Sequence, residues 1–193
     1  MTKVFSKALM MSEDVQSYVG STRFYESEAP AEIFDGAFVV LGDLDADKVY
    51  GDGAVDYNVY KSSAPTADNQ VMVVVDIAGI SEGVIAGNTY KIGNKLVDLK
   101  AQAGFPVRFR RLALGDKFWL GEGNFVEAPN GRAYATCTGG SMLLNPTSDM
   151  PYGGKFGIKI VATQDLVVGQ TVAKNAADKY EQLYLCEVIS LRS

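Results

Sequence analysis

Three aspartates spaced two residues apart are the first candidates for chemistry in this chain. Asp43, Asp45 and Asp47 form the D-x-D-x-D pattern with which calcium-binding loops begin. An EF-hand loop also needs glycine at its sixth position and glutamate at its twelfth, where this chain has Lys48 and Ala54. The pattern therefore favours a solvated acidic turn over a calcium site, and we expect no metal and no cofactor.

Catalytic motifs are the second group of candidates. The chain has no histidine, which removes the commonest general base and the commonest metal ligand. Residues 87–95 contain glycine and lysine, but their spacing is not that of a P-loop, and Leu96 stands where serine or threonine would follow. Gly139-Gly140-Ser141 lacks the G-x-S-x-G frame of a serine hydrolase. Distant carboxylate pairs for glycoside hydrolysis stay open, but nothing points to one, and we expect that the protein is not an enzyme.

Arg108, Arg110 and Arg111 are the nearest approach to a basic cluster. The chain has a formal net charge of −5 and a pI of about 4.8, and binding to nucleic acid needs net or clustered positive charge. We therefore predict no nucleic-acid partner. A solvated strand face is the favoured interpretation of the arginines, and a docking site for carboxylates, on an acidic protein surface, is the alternative.

Aromatic side chains and cysteines complete the candidates. Aromatic residues that could line a carbohydrate platform are Phe118, Trp119, Phe125 and Tyr134. Aromatic residues on strands near turns are more often part of a core, which is the interpretation we favour. Cys137 and Cys186 are interpreted as small buried hydrophobic residues, and a disulfide between them stays open. Without a Cys-x-x-Cys pair, no zinc site is expected.

The arginines lie on a predicted strand with an irregularity. Apolar and basic residues alternate from Val107 to Arg110, which is the period of a half-buried strand. The apolar positions resume one residue late at Leu112, which predicts a β-bulge at Arg110-Arg111.

A turn and a second strand follow. Gly115-Asp116 is a turn signal. In the strand after it, we predict that Phe118 and Leu120 face the core. Trp119, the single tryptophan, should lie on the opposite face and be partly covered.

The rest of the chain has the composition of an all-β protein. Residues 37–41 and 71–77 are apolar runs, and the second should be a central strand. Strands are also predicted at 132–138, 140–144, 155–162, 167–172 and 183–190. Residues 80–104 are predicted to form a long loop with a short helix between Asn94 and Ala103. We predict a compact barrel or sandwich of about eight to ten short strands.

The N-terminal 30 residues show no clean period. Their apolar residues include Val4, Phe5, Leu9 and Met10. Residues 26–30 are typical of a linker, so we predict an N-terminal arm, 1–30, and a β-rich domain, 31–193. The arm would become ordered against a partner; a frayed terminus is an equal alternative. No secretion signal and no membrane span are predicted.

Three segments resemble the head decoration, or capsid cement, proteins of tailed bacteriophages. They are FDGAFVVLGDL at 34–44, VYKSSAPTA at 59–67 and a third segment within 105–118, which consists of FPVR at 105–108, RL at 111–112 and LGDKF at 114–118. The resemblance implies a structural virion protein, made in the host cytoplasm, that binds the capsid exterior and bridges major capsid protein subunits. It also implies a homo-oligomer, with a trimer as one candidate, and an arm that lies on neighbouring subunits.

Contacts with the capsid or between copies are therefore expected from the arm, from the three arginines and from Trp119. Two alternatives remain open, which are another virion component, such as a tail or head-fibre subunit, and a carbohydrate-binding β-module. Copy number in the particle would distinguish the first alternative, and glycan binding by the isolated protein would favour the second.

Overall fold

In the computed structural model, the described residues are 5–9, 19–45, 59–67, 70–77, 82–85, 88–91, 100–168 and 179–191. The strands are β1 Phe5–Leu9, β2 Val19–Glu26, β3 Ala29–Pro30, β4 Ile33–Phe34, β5 Phe38–Leu44, β6 Val59–Ser63, β7 Met72–Asp76, β8 Glu82–Ile85, β9 Asn88–Lys91, β10 Lys100–Ala101, β11 Val107–Arg111, β12 Lys117–Gly121, β13 Tyr134–Cys137, β14 Leu144–Thr147, β15 Gly157–Val168 and β16 Lys179–Ser190. A short 3-10 helix, Glu122–Asn124, follows β12. The predicted all-β fold is confirmed.

Five of the strands close into a barrel. The strand order around the ring is β2-β6-β5-β7-β11, and β11 pairs with β2 to close it. The β2–β6 pair is parallel, and the other four pairs are antiparallel. Closure leaves none of the five with a free edge. The apolar run predicted to be a central strand is β7, which lies between β5 and β11 and is buried along its whole length.

The barrel interior is filled by the side chains of alternate residues. Its core includes Phe24, Val39, Val73 and Phe109. Gly20 lies opposite Phe109 in the β2–β11 ladder. A Cβ at this position would be 2.6 Å from Phe109 Cζ, so the ring occupies space that a larger residue would need. The glycine therefore allows the barrel to close over a phenylalanine.

A six-stranded antiparallel sheet covers one side of the barrel. Its strand order is β1-β12-β16-β15-β13-β14. The inner face contributes the buried Phe118, Leu120 and Cys186 to a second core, and the barrel contributes Phe38 and Val74 from its outer surface. The residues next to these on β5 and β7 point into the barrel. Because strands alternate their faces, β5 and β7 serve both cores and join barrel and sheet into one unit.

The connection from barrel to sheet corrects the predicted bulge. β11 stays in register with β7 through Arg111, opposite Val73, without an irregularity. The phase changes because the strand ends there, and Leu112 enters the second core. At the following turn, Gly115 has a φ of +87°, and Asp116 Oδ2 accepts a hydrogen bond from Ala113 N at 2.8 Å.

The predicted boundary at residue 30 is wrong for residues 19–30. β2 is a barrel strand between β11 and β6, and β3 pairs with its end. Phe24 is 4% exposed in the barrel core, so this part of the predicted arm belongs to the fold. β1 pairs with β12 at the edge of the six-stranded sheet. The remaining residues of the predicted arm lie outside the described ranges.

Other predicted elements are corrected as well. The loop predicted at 80–104 contains the β8–β9 hairpin and β10, which pairs with β4. Lys100–Ala101 is therefore strand where a helix was predicted, and residues 92–99 lie outside the described part of the chain. The strand predicted at 140–144 is a turn before β14, and two strands predicted between 155 and 172 are one, β15.

Candidate interaction surfaces

The barrel strand β11 positions the predicted arginines. Arg108 and Arg110 share the outer face of the barrel wall, because Phe109 between them points into the interior. Arg108 lies opposite Asp76 of β7 and Arg110 lies opposite Val74. The sequence therefore predicted their common strand face, but not their acidic neighbour.

A single carboxylate oxygen holds both arginines. Arg110 Nε donates to Asp76 Oδ2 at 2.6 Å, and Arg108 Nη2 donates to the same oxygen at 2.8 Å. The Arg110 side chain is 6% exposed, whereas that of Arg108 is 41% exposed. We call Asp76, Arg108 and Arg110 the arginine cluster. The favoured interpretation of a solvated face is therefore wrong for Arg110, whereas Arg108 and Arg111 are exposed.

Arg23 of β2 is a second buried arginine on the barrel wall, and the sequence analysis did not single it out. Arg23 Nη1 donates to Asp45 Oδ2 at 2.9 Å, and the two side chains are 3% and 0% exposed. Tyr25 Oη also donates to Asp45 Oδ2, at 2.9 Å. The interpretation of the D-x-D-x-D pattern as a solvated turn is therefore wrong for Asp45. Asp47 lies outside the described residues.

The charge of Asp45 is stabilised by its neighbours. Burial acts to raise the pKa of this carboxyl, but the hydrogen bonds from Arg23 and Tyr25 and the positive charges of Arg23 and Lys61 hold it below its ordinary value of 3.8. Asp45 Oδ1 is buried and has no hydrogen-bond partner among the described residues. Among the residues that the structure describes, no group of three or more acidic or cysteine side chains is placed to hold a metal ion.

Trp119 lies on the outer face of the six-stranded sheet, as predicted. Phe118 and Leu120 are fully buried in the second core, and Trp119 between them is half-buried. Its cross-strand neighbour is Leu185 of β16, which is also half-buried. On its other side, β12 pairs with β1, where Ser6 lies opposite Trp119.

A charged row borders this apolar pair. Lys117 and Glu187 lie opposite each other on β12 and β16, with Nζ and Oε2 3.6 Å apart. Lys159 of β15 lies opposite Glu187 on the other side. The outer sheet face therefore presents an apolar pair, Trp119 and Leu185, beside a row of alternating charge.

The four aromatic residues do not form one platform. Phe118 is 0% exposed and Phe125 is 1% exposed, both in the second core. Trp119 and Tyr134 share the outer face but lie on β12 and β13, with β16 and β15 between them. Since neighbouring strands are about 4.8 Å apart, the two backbones are separated by about 14 Å. The preference for core positions is confirmed for the two phenylalanines.

Both cysteines are buried in the second core, and neither is in a disulfide. This confirms their interpretation as small hydrophobic residues, and the alternative of a disulfide is wrong. Burial raises the pKa of the Cys186 thiol. Neither thiol is therefore placed for surface chemistry.

A ribbon extends from the six-stranded sheet. β15 and β16 pair along 12 residues each. β12 accompanies β16 only as far as Leu183, and β13 accompanies β15 at Ile158 and Lys159. Residues 161–164 are all exposed, so both faces of β15 meet solvent there, although Tyr184, opposite Thr163 on β16, is buried. This is a further surface that the sequence did not predict.

The predicted contact residues are distributed over two sheets. The three arginines are on the barrel, whereas Trp119 is on the six-stranded sheet. Phe5 and Leu9 lie in β1, opposite Leu120 and Lys117 of the strand that carries Trp119. Val4 and Met10 lie outside the described residues. The structure thus brings β1 and Trp119 together and places the arginines on another surface.

No family of known proteins, no curated protein and no solved structure matches this chain. Within the described ranges, no helix has the length and apolar character needed to cross a membrane.

Proposed function

We propose that this is a structural virion protein that binds the outer surface of a phage capsid and bridges major capsid protein subunits. Copies would associate with one another on the shell, with a trimer as one candidate arrangement. No catalytic activity and no cofactor are part of the proposal.

The observation that carries the proposal is where the three segments of the resemblance lie. Residues 34–44 contain the last residue of β4 and the whole of β5, residues 59–67 contain β6, and residues 105–118 contain β11, the turn and the start of β12. Three of the five barrel strands, together with the connection to the sheet, therefore come from these segments. Segments that are distant in sequence but belong to one barrel support a common origin better than matches scattered over the fold would.

The distribution of the candidate surfaces also supports a bridging role. The arginine cluster is on the barrel, and the Trp119 face is on a different sheet. Two contacts held at a fixed separation by a shared core can engage two neighbouring subunits at once, and the second contact then forms at high effective concentration. A protein that binds only the assembled lattice stabilises that state by mass action.

The proposal is tested by the composition of purified particles. We expect the protein in virions of the phage that encodes it, at a copy number comparable to that of the major capsid protein. Particles that lack it should lose shell integrity at lower temperature, and the added protein should restore it. A copy number of a handful per particle would instead indicate a tail or fibre subunit. Absence from particles, together with specific glycan binding, would favour the carbohydrate-binding module.

A further inference from the structure

We propose that the arginine cluster is a recognition site for a carboxylate on a partner protein, with Arg108 and Arg110 as the residues that bind it. Naming the capsid protein as the partner rests on the proposed function, whereas the chemistry of the site does not.

The charges within the cluster are not balanced. Arg108 and Arg110 both pair with Asp76, and within the described part of the chain neither arginine side chain makes another hydrogen bond or ion pair. Two guanidinium groups against one carboxylate leave a net charge of +1 (2 − 1). On a chain whose formal net charge is −5, this is a local positive site on an acidic molecule.

The unused donors of Arg110 define what the site can bind. A guanidinium carries five N–H donors, and the bond to Asp76 uses the one on Nε. Its two Nη groups have no acceptor among the described residues, although the side chain is 94% buried (6% exposed). Among the described residues, the fully enclosed side-chain atom without a hydrogen-bond partner is Asp45 Oδ1 and not an Nη of Arg110. The Nη groups therefore keep some contact with solvent, and they are the donors that an anion from outside would meet.

A carboxylate fits this arrangement best. Its two oxygens match the paired N–H groups of a guanidinium, and a buried, incompletely paired arginine gains more from such a partner than a fully solvated one does. Arg108 is half-exposed beside it and can approach the same ligand from the rim. An aspartate or glutamate on an acidic protein surface would supply this group, and bulk nucleic acid is disfavoured by the negative charge of the whole chain.

Binding to an acidic peptide tests the site without any capsid. The side-chain Nε–Hε NMR signals of Arg108 and Arg110 are followed in the full chain while a short blocked oligoglutamate is added at low salt, with oligolysine as the control probe. We expect saturable shifts of both signals with oligoglutamate alone, reduced by Arg108→Gln and abolished by high salt. The absence of a shift, or equal shifts with both peptides, would overturn the assignment.

Particle binding then tests the partner. Arg108→Gln should weaken co-sedimentation with stripped capsids about tenfold, which corresponds to loss of one interfacial charge contact. Arg132→Gln, which removes an exposed pair with Glu127, should have little effect. If the wild type binds capsids and Arg108→Gln binds equally well, the site is wrong. If the wild type does not bind capsids but its arginines respond to oligoglutamate, the capsid proposal fails and the carboxylate site stands.

Discussion

Single side chains on β12 illustrate how one strand serves two purposes. Phe118 and Leu120 are fully buried between the sheet and the barrel, and Phe118 packs with its ring centroid 6.3 Å from that of Phe38. Trp119 points the other way, next to Leu185. Neighbouring residues of the same strand should therefore fail in different assays when they are truncated.

The first prediction separates these roles. Phe118→Ala should lower the free energy of unfolding by about 3–5 kcal/mol, because it empties a fully buried aromatic site. Trp119→Ala should cost at least about 1 kcal/mol less, because part of that side chain is already solvated. Trp119→Ala should reduce capsid binding or self-association more than it reduces stability. Urea unfolding and co-sedimentation of both variants check this. Equal losses of stability would contradict the prediction that Phe118 contributes more to folding than Trp119 does.

The second prediction concerns acid stability at Asp45. Its folded pKa lies below 3.8, so the stability from this carboxylate is fully present above that pH and is lost as the pH falls through the folded pKa. Asp45→Asn should lower the free energy of unfolding near neutral pH by up to about 3–5 kcal/mol, because it removes the carboxylate that pairs with the buried Arg23 guanidinium. The difference from wild type should shrink in acid.

Asp43→Asn is the matched control for this prediction. Asp43 is exposed near the end of β5, two positions before Asp45, so this substitution should change the free energy of unfolding by no more than about 0.5 kcal/mol. Unfolding free energies measured by denaturant titration between about pH 2 and pH 7 provide the comparison. A pH profile of Asp45→Asn parallel to that of wild type would contradict the proposed contribution.

The third prediction concerns the thiols. Because Cys137 and Cys186 are buried thiols outside any disulfide, and burial raises the pKa of Cys186, both should react with a water-soluble thiol reagent only after unfolding. The labelling rate should follow the unfolding rate as denaturant is added. Rapid labelling of the native protein would contradict the prediction. So would a mass spectrum, recorded under non-reducing conditions, that shows a disulfide between the two cysteines.

The elements differ in how far the sequence determines them. Phe156, Ile158 and Ile160 alternate toward the core as their spacing predicts. β2 escaped prediction because Thr22 and Arg23 are polar yet buried, and Arg23 is accommodated by Asp45, 22 positions along the chain. Local periodicity carries no information about such a partner.

The same limit applies to the candidate surfaces. The common face of Arg108 and Arg110 could be predicted from alternation, whereas their convergence on Asp76, 32 and 34 positions away, depends on how β7 and β11 pair. Likewise, the half-buried position of Trp119 was predictable, but its neighbour Leu185 follows from the β12–β16 register. Pairing between distant strands is set by the whole sheet and not by local sequence.

The fourth prediction concerns the two N-terminal strands, β1 and β2. Deletion of residues 1–26 should prevent folding, because it removes the whole of β2, which closes the barrel between β11 and β6. Of the described elements, deletion of residues 1–9 removes only the edge strand β1, and it should leave a cooperative thermal transition. The shorter truncation should bind capsids or other copies less well. Far-UV circular dichroism during heating and co-sedimentation check both truncations, and a folded 27–193 fragment would contradict the assigned role of β2.

At the scale of the whole molecule, a barrel and a sheet share one core and carry separate surfaces. Asn124 Nδ2 donates a buried hydrogen bond to the backbone oxygen of Asp35 at 2.8 Å. This bond connects the 3-10 helix after β12 to the start of the barrel wall. Such a unit can hold two contacts at a fixed separation. That geometry suits a protein whose role is to hold neighbouring subunits of a lattice together.

The most direct test of the capsid proposal is a pair of particle reconstructions, one from virions and one from virions that lack this protein. We predict extra density on the outer shell, repeated with the lattice and large enough for a chain of 20.8 kDa, which is absent from the second reconstruction and into which the barrel and sheet can be placed. Shells that are identical in the two reconstructions, or a difference confined to the tail or to one vertex, would contradict the account.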